Sequence, residues 1–219
     1  MLPVHALVMV GPPGAGKGTQ SHAVARKFGI PEISTGHMLR DAVQMKTPAG
    51  LQAQAAMESG KLVPDGLVCQ LIEQRILEPD SAQGFVIDGF PRNVNQAVFL
   101  ERLLESRRWG HTMVLNLRVD RETVLKRLSG RRICPVCGTT YNIFYSPPRR
   151  EGFCDREGSP LTQRPDDNEE VIGRRLREYE CQTEPLIGYY RGLNLLKDID
   201  GNRDSAEVTA AIFGTLNAS

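Results

Sequence analysis

Five consecutive apolar residues, Ala6-Leu7-Val8-Met9-Val10, show no polar alternation and so predict a strand buried on both faces, as at the centre of a parallel sheet. Residues 20–28 follow a glycine-rich loop and carry Ala23, Val24 and Phe28 at helical spacing. A short strand is expected over 30–33, ending at Ser34-Thr35-Gly36, and then a helix over 37–45 with Ser34 or Thr35 near its cap. A further helix over 48–60 starts near Thr47-Pro48 and stops at Gly60. From Pro64-Asp65 onward, Leu67, Val68, Leu71, Ile72 and Ile76 form the apolar stripe of another helix.

The same alternation continues. Residues 84–88 read as a buried strand ending in an acid, 94–107 as a helix, and 112–119 as a mostly buried strand. Asp120 is placed to cap a helix that runs to residue 129. Residues 130–167 break the rhythm with prolines, glycines, three cysteines and several arginines, as a functional flap or small separate unit does. From Asn168 a helical stripe resumes at Ile172, Leu176, Tyr179, Thr183 and Leu186 or Ile187, before a last strand over 195–200 and a helix over 206–216. Strands alternating with helices imply an α/β fold, a parallel sheet with right-handed crossovers and helices on both faces. Ligands in such sheets bind beyond the carboxyl ends of the strands, where Gly11, Thr35, Asp88 and Asp120 fall.

A chain of 219 residues holds one α/β core plus an insertion. Its net charge of +1 gives no polyelectrolyte signature, which argues against nucleic-acid binding through bulk charge. Residues 1–10 lack the charged start and length of a secretory signal, and no apolar run is long enough for a membrane span. Five cysteines without an export signal suggest a reducing cytoplasm, with metal binding or free thiols. Cys69 and Cys181 lie on expected helices and read as packing residues.

The first chemistry lies in Gly11-Pro12-Pro13-Gly14-Ala15-Gly16-Lys17-Gly18-Thr19, a P-loop between strand and helix. Gly14, Gly16 and Gly18 let backbone N–H groups converge on phosphate oxygens, the helix N-terminus adds positive potential, and Lys17 reaches the outer phosphates. Gly18 stands where Ser or Thr usually follows the lysine, and the hydroxyl of Thr19 comes one residue later. An acid elsewhere must then help hold Mg²⁺, and Asp88 at its strand end is the candidate, directly or through water. Arg40, Arg92, Arg127, Arg131, Arg164 and Arg175 are spread as phosphoryl transfer between two nucleotides would require, since planar guanidinium forks neutralise crowded oxygens. Arg127 and Arg131 share one helical face.

The cysteines form Cys134-Pro135-Val136-Cys137, then sixteen residues, then Cys154-Asp155-Arg156-Glu157. Two such knuckles suggest tetrahedral zinc on Cys134, Cys137 and Cys154, with Glu157 where a fourth cysteine is expected. Asp155 is a less well spaced fourth candidate, and a metal-free flap held by hydrogen bonds is the alternative.

The loop GPPGAGKGTQ, Ser34-Thr35-Gly36-His37-Met38-Leu39-Arg40, Asp88-Gly89-Phe90-Pro91-Arg92 and Gln163-Arg164-Pro165-Asp166-Asp167, in this order and over essentially the entire chain, resemble adenylate kinase of the long bacterial type with a zinc-bearing lid. The resemblance implies the P-loop nucleoside monophosphate kinase fold and the reaction ATP + AMP ⇌ 2 ADP with Mg²⁺. It divides the chain into a core of 1–33, 64–129 and 168–219, an AMP-binding segment over 34–63 and a lid over 130–167. It assigns ATP to Gly14, Ala15, Gly16, Lys17, Gly18, Thr19, Arg127, Arg131, Thr140, Tyr141 and Arg203, the last through its backbone near the adenine. AMP falls to Thr35, Arg40, Lys61, Leu62, Val63, Gly89, Phe90, Pro91, Arg92 and Gln96, with Arg164 and Arg175 bridging both phosphate groups. Lys17, Arg92, Arg131, Arg164 and Arg175 would be the catalytic set, and Gln96 the reader of the acceptor adenine.

The resemblance also implies a cytoplasmic monomer that handles ATP, AMP and ADP, with structural Zn²⁺ in the lid and no nucleic-acid or membrane partner. Two departures stand out. His37 replaces the usual Asp near the magnesium water network, removing a negative charge or adding a positive one below about pH 6.5. Glu157 is the second; Arg203, where lysine is frequent, matters little if it acts through its backbone. The expected mechanism is direct attack by an AMP phosphate oxygen inside a closed, water-free site, with lid opening limiting turnover. Another nucleoside monophosphate kinase, a GTP-using AMP kinase, a nucleotide-dependent switch and a nucleic-acid-binding zinc ribbon are the competing readings.

Overall fold

The computed structural model describes residues 3–218. Its centre is a five-stranded, wholly parallel sheet in the order β2-β3-β1-β4-β7, comprising β1 (Ala6–Val10), β2 (Glu32–Ser34), β3 (Phe85–Asp88), β4 (Thr112–Arg118) and β7 (Leu196–Asp200). All five residues of β1 are buried, as the unbroken apolar run requires of a central strand. Its side chains alternate between two cores. Ala6, Val8 and Val10 pack with Ile33, Ile87 and Val114 on one face, whereas Leu7 and Met9 pack with Val86, Leu115 and Leu117 on the other.

The first face is covered by α2 (Thr35–Gln44), α3 (Pro48–Ser59), α4 (Asp65–Ile76), α5 (Val94–Ser106) and α8 (Pro185–Gly192), which supply Leu39, Ala53, Ile72, Leu100 and Tyr190. The second is covered by α1 (Lys17–Phe28) and α9 (Ser205–Asn217), through Val24, Val208 and Ile212. Fully burying each such side chain contributes about 1.5–3 kcal/mol. A third, small cluster joins Val124 and Leu128 of α6 (Arg121–Ser129) to Ile172 and Leu176 of α7 (Glu169–Glu178).

The caps follow the side-chain chemistry of their residues. Thr47, Asn93, Asp120, Asn168 and Asp204 each accept a backbone N–H from the first turn of the helix that follows. Asn93 opens α5, which leaves Asp88 free of that duty. Two segments differ from the sequence expectation. Residues 130–167 contain an antiparallel pair, β5 (Arg131–Ile133) with β6 (Thr140–Asn142), too short to show a period in the sequence. The stripe after Asn168 is not one α-helix: Tyr179–Thr183 form a π-turn closed by Glu184 N–H donating to Tyr179 O at 2.9 Å. Pro185 lacks the N–H that an α pattern would need there, and the extra residue in the turn puts Leu186, not Ile187, in the core.

Candidate active site

The loop from Gly11 joins the end of β1 to α1, and Gly16, the residue before the helix, adopts φ 95°, which favours glycine. Lys17 Nζ donates to Gly11 O at 2.8 Å and Pro12 O at 3.0 Å, so the side chain is folded back over its own loop. Desolvation lowers its pKa to about 8. The Asp88 charge opposes that shift, and Arg92, Arg175 and Arg131 add to it. Those four groups come from three distant parts of the sequence, namely the end of β3 with the loop after it, the start of β5, and α7, and their charges all act on one lysine. A cleft there is lined by Gly11, Lys17, Leu62, Gly89, Arg92 and Arg175.

Asp88 ends β3 beside the P-loop. A Cβ added to Gly18 would lie 3.3 Å from Asp88 Oδ2, so the glycine that departs from the general motif is the residue the carboxylate packs against. Among the described residues no donor is hydrogen-bonded to the Asp88 carboxylate. An uncommitted hard oxygen donor beside a phosphate cradle fits Mg²⁺, which takes one or two carboxylates and keeps phosphate oxygens and water for the rest. Thr35 Oγ1 donates to Asp88 O at 3.4 Å, tying the start of α2 to the same strand end.

Two of the arginines share one acid, and the others are held separately. Arg131 is bidentate on Asp167, with Nε to Oδ2 at 2.6 Å and Nη2 to Oδ1 at 2.5 Å. Arg175 Nη1 reaches Asp167 Oδ1 at 3.1 Å and Asp166 Oδ2 at 3.0 Å. Arg164 Nε is buried without a hydrogen-bond partner among the described residues; desolvation, Arg131 and Arg40 bring its pKa down to about 9, still protonated at neutral pH. Arg92 Nε donates to Gly89 O at 2.9 Å, and Arg40 folds back over Gly36, one turn earlier on α2. Desolvation and the Arg40 and Arg164 charges lower the pKa of His37 from 6.5, so its ring is neutral at pH 7.

On the P-loop's far side, Arg127 Nη1 donates to Ala15 O at 3.4 Å and Nη2 to Arg203 O at 3.2 Å. Arg203 thus meets Arg127 through its backbone while its own side chain pairs with Asp200. Thr140 is exposed on β6; Tyr141 next to it is buried, its hydroxyl 3.5 Å from Cys154 Sγ. Thr19 and Lys61 are exposed, Leu62 lines the cleft, and Val63 is buried in the apolar core. Phe90 and Pro91 are buried and joined by a cis peptide bond. Gln96 is only 2% exposed; its Oε1 accepts from Arg92 N at 2.7 Å and its Nε2 donates to Asp65 Oδ1 at 2.7 Å. Asp65, Asp166 and Asp167, which anchor Gln96 and the arginines, were named in the sequence only within a helix start and a motif, with no site role of their own. Asp166 and Asp167 had a signal in standing next to Arg164-Pro165, but Asp65 had none.

The thiols of Cys134, Cys137 and Cys154 lie within 4.8 Å of one another. Zn–S bonds of about 2.3 Å place sulfurs about 3.8 Å apart in a tetrahedron, so three corners fit zinc. Ser159 Oγ and Thr139 Oγ1 each sit 3.1 Å from a sulfur, of Cys134 and Cys137 respectively. Burial opposes the Cys134 thiolate, but the Cys137 N–H and Ser159 hydroxyl outweigh it and hold the thiol below its usual range. Glu157 is exposed and outside the group, and Asp155 Oδ1 is occupied by Arg149 N–H at 2.8 Å. The structure therefore gives three ligands together and leaves the fourth corner unassigned.

A family model described as Adenylate kinase matches residues 9–194. The chain is 48% identical over 212 residues to an adenylate kinase of Carboxydothermus hydrogenoformans, covering 96% of this chain and 98% of that one. It is 47% identical over 210 residues to one of Thermodesulfovibrio yellowstonii (96% and 98% covered) and 44% identical over 210 residues to one of Bacillus subtilis (96% and 97% covered).

Proposed function

The chain belongs to the adenylate kinase family and catalyses reversible, Mg²⁺-dependent phosphoryl transfer from ATP to AMP, and on that premise we propose how its own residues divide the work. The Gly14–Thr19 backbone and Lys17 hold the ATP phosphates, with Arg127 and the Arg203 carbonyl beyond them, and Thr140 and Tyr141 closing from the lid. Thr35, Arg40, residues 61–63, residues 89–92 and Gln96 hold AMP. The observation that carries this reading is one cleft lined by Gly11, Lys17, Gly89, Arg92 and Arg175, with the Asp88 carboxylate packed against Gly18 of the same loop.

Asp88 would hold the Mg²⁺ that accompanies ATP, and that ion would spread the negative charge of the phosphates. No side chain needs to act as a covalent nucleophile: an AMP phosphate oxygen attacks the γ-phosphorus and ADP leaves. Lys17, Arg92, Arg131, Arg164 and Arg175 neutralise the equatorial oxygens and keep donor and acceptor in line. Water competes as acceptor, so segments 34–63 and 130–167 close over the pair before transfer.

Zn²⁺ on the three cysteines would tie the lid together and take no part in the chemistry, with Glu157 reaching in as fourth ligand. The reading expects a cytoplasmic monomer with no nucleic-acid or membrane partner. A net charge of +1 supports the first exclusion, and among the described residues no helix is long and apolar enough to cross a membrane. The test is ADP formation by purified protein from ATP or GTP with AMP, CMP, UMP or GMP. Activity confined to ATP with AMP is expected; equal ATP loss with and without a monophosphate would end the reading.

A further inference from the structure

We propose that Asp65 is a positioning residue that fixes which way the Gln96 amide faces, and so makes the acceptor site select adenine. The proposal rests on the assignment of Gln96 to the AMP base. A buried primary amide offers two donors and two acceptor lone pairs, and its selectivity depends on which end faces the ligand. Here each end is claimed once by the protein. Arg92 N–H donates to Gln96 Oε1 at 2.7 Å, and Gln96 Nε2 donates to Asp65 Oδ1 at 2.7 Å. One N–H and one lone pair remain for a ligand.

The anchor is itself anchored. Asn93 Nδ2 donates to both Asp65 oxygens, at 2.9 and 3.0 Å, while Asn93 Oδ1 accepts Gln96 N–H at 2.9 Å. Asp65 on the first turn of α4 is thereby locked to the first turn of α5, 31 residues away in the sequence from Gln96. Turning the amide over would set NH₂ against the Arg92 N–H and its carbonyl against a carboxylate. Gln96 is buried, so water could not relieve either clash.

The chemical consequence is a direction. Adenine presents an acceptor at N1 beside a donor at N6, which complements the remaining N–H and lone pair. Hypoxanthine presents the reverse, a donor at N1 and an acceptor at O6, and would need the amide turned over. A site built to hydrogen-bond one pattern rejects the other because its buried groups are left unpaired.

The experiment compares kcat/KM for AMP and for inosine monophosphate, at saturating ATP, in the wild type and in D65A, D65N and Q96L. In D65A, water can reach the freed amides but cannot dictate their orientation. The AMP-to-IMP ratio is expected to fall about tenfold or more, partly through a rise in the rate with IMP, with KM for ATP unchanged. D65N retains an acceptor carbonyl and is expected to keep most of the selectivity; loss of the ratio in a folded D65N would overturn the proposal even where D65A does not fold. A wild-type ratio in D65A, or a uniform loss with both acceptors, overturns the proposal. If Q96L loses the ratio while D65A keeps it, Asp65 alone is refuted; if Q96L also keeps it, the assignment of Gln96 falls and the proposal with it.

Discussion

Arg131 and Asp167 face each other fork to fork, with both guanidinium-to-carboxylate bonds at 2.6 Å or less and the carboxylate only 1% exposed. The same acid also takes Arg175 at 3.1 Å. Two of the arginines proposed to act on the transferring phosphoryl group are therefore held by one buried anion, supplied by the short turn Pro165–Asp167 just before α7. Arranging them before substrate arrives removes a reorganisation cost from the chemical step.

Removing that charge is expected to loosen both arginines together. In D167N, kcat/KM for ATP and for AMP should fall by about 10²-fold, because a displacement of about 1 Å in charged groups is enough for that. Stability should drop by about 3–5 kcal/mol, as when one partner of a buried pair is lost. Steady-state kinetics and denaturant unfolding measure the two effects. A loss confined to one substrate would contradict a shared anchor.

The low pKa of Lys17 sets a pH limit on nucleotide capture. Below about 8 the free lysine is protonated and attracts phosphate; above that it becomes neutral in the free enzyme, so kcat/KM for ATP should decline by about tenfold per pH unit. Bound phosphates favour the ammonium form, so kcat should stay level over the same interval. Profiles of the two parameters from pH 6 to about 9.5 test this. Parallel decline of kcat would point to a group other than Lys17.

Most of this architecture was legible because the signals were local. The unbroken run in β1 gave a central strand, and Asn168 and Asp120 gave helix starts that the structure keeps. What was not legible depends on partners far apart in the sequence. Asp65 carries no mark of its bond to Gln96; the π-turn at Tyr179–Thr183 has a local cause, Pro185, but adds one residue to an apolar stripe that otherwise reads as continuous. β5 and β6, three residues each, are shorter than any window in which a period of two can be recognised.

His37 gives a charge prediction. Desolvation, Arg40 and Arg164 hold its pKa under 6.5, so at pH 7 the ring is neutral in the wild type. H37D adds a negative charge near Arg40, Arg164 and Asp88, and should lower the Mg²⁺ concentration needed for half-maximal rate by about threefold, the size of a partly screened interaction of under 1 kcal/mol. Magnesium titrations of both proteins at pH 7.5 decide it, and superimposable curves would show that the position does not sense the metal.

The cysteine group predicts a metal with a structural role only. Three sulfurs within 4.8 Å, each near a hydroxyl, form most of a closed zinc site, and a closed site has no open position for chemistry. Purified protein is expected to hold a single zinc ion; C137S should hold none and unfold at lower temperature, because metal binding stabilises the folded lid. E157A separates the fourth-ligand question from the rest. If Glu157 swings in from its exposed position to complete the tetrahedron, its removal should weaken zinc retention against a chelator by about 10–100-fold, with KM for both nucleotides changed much less. Unchanged retention in E157A together with full loss in C137S would assign the fourth corner to water or to another donor, and would leave the three-thiolate site standing.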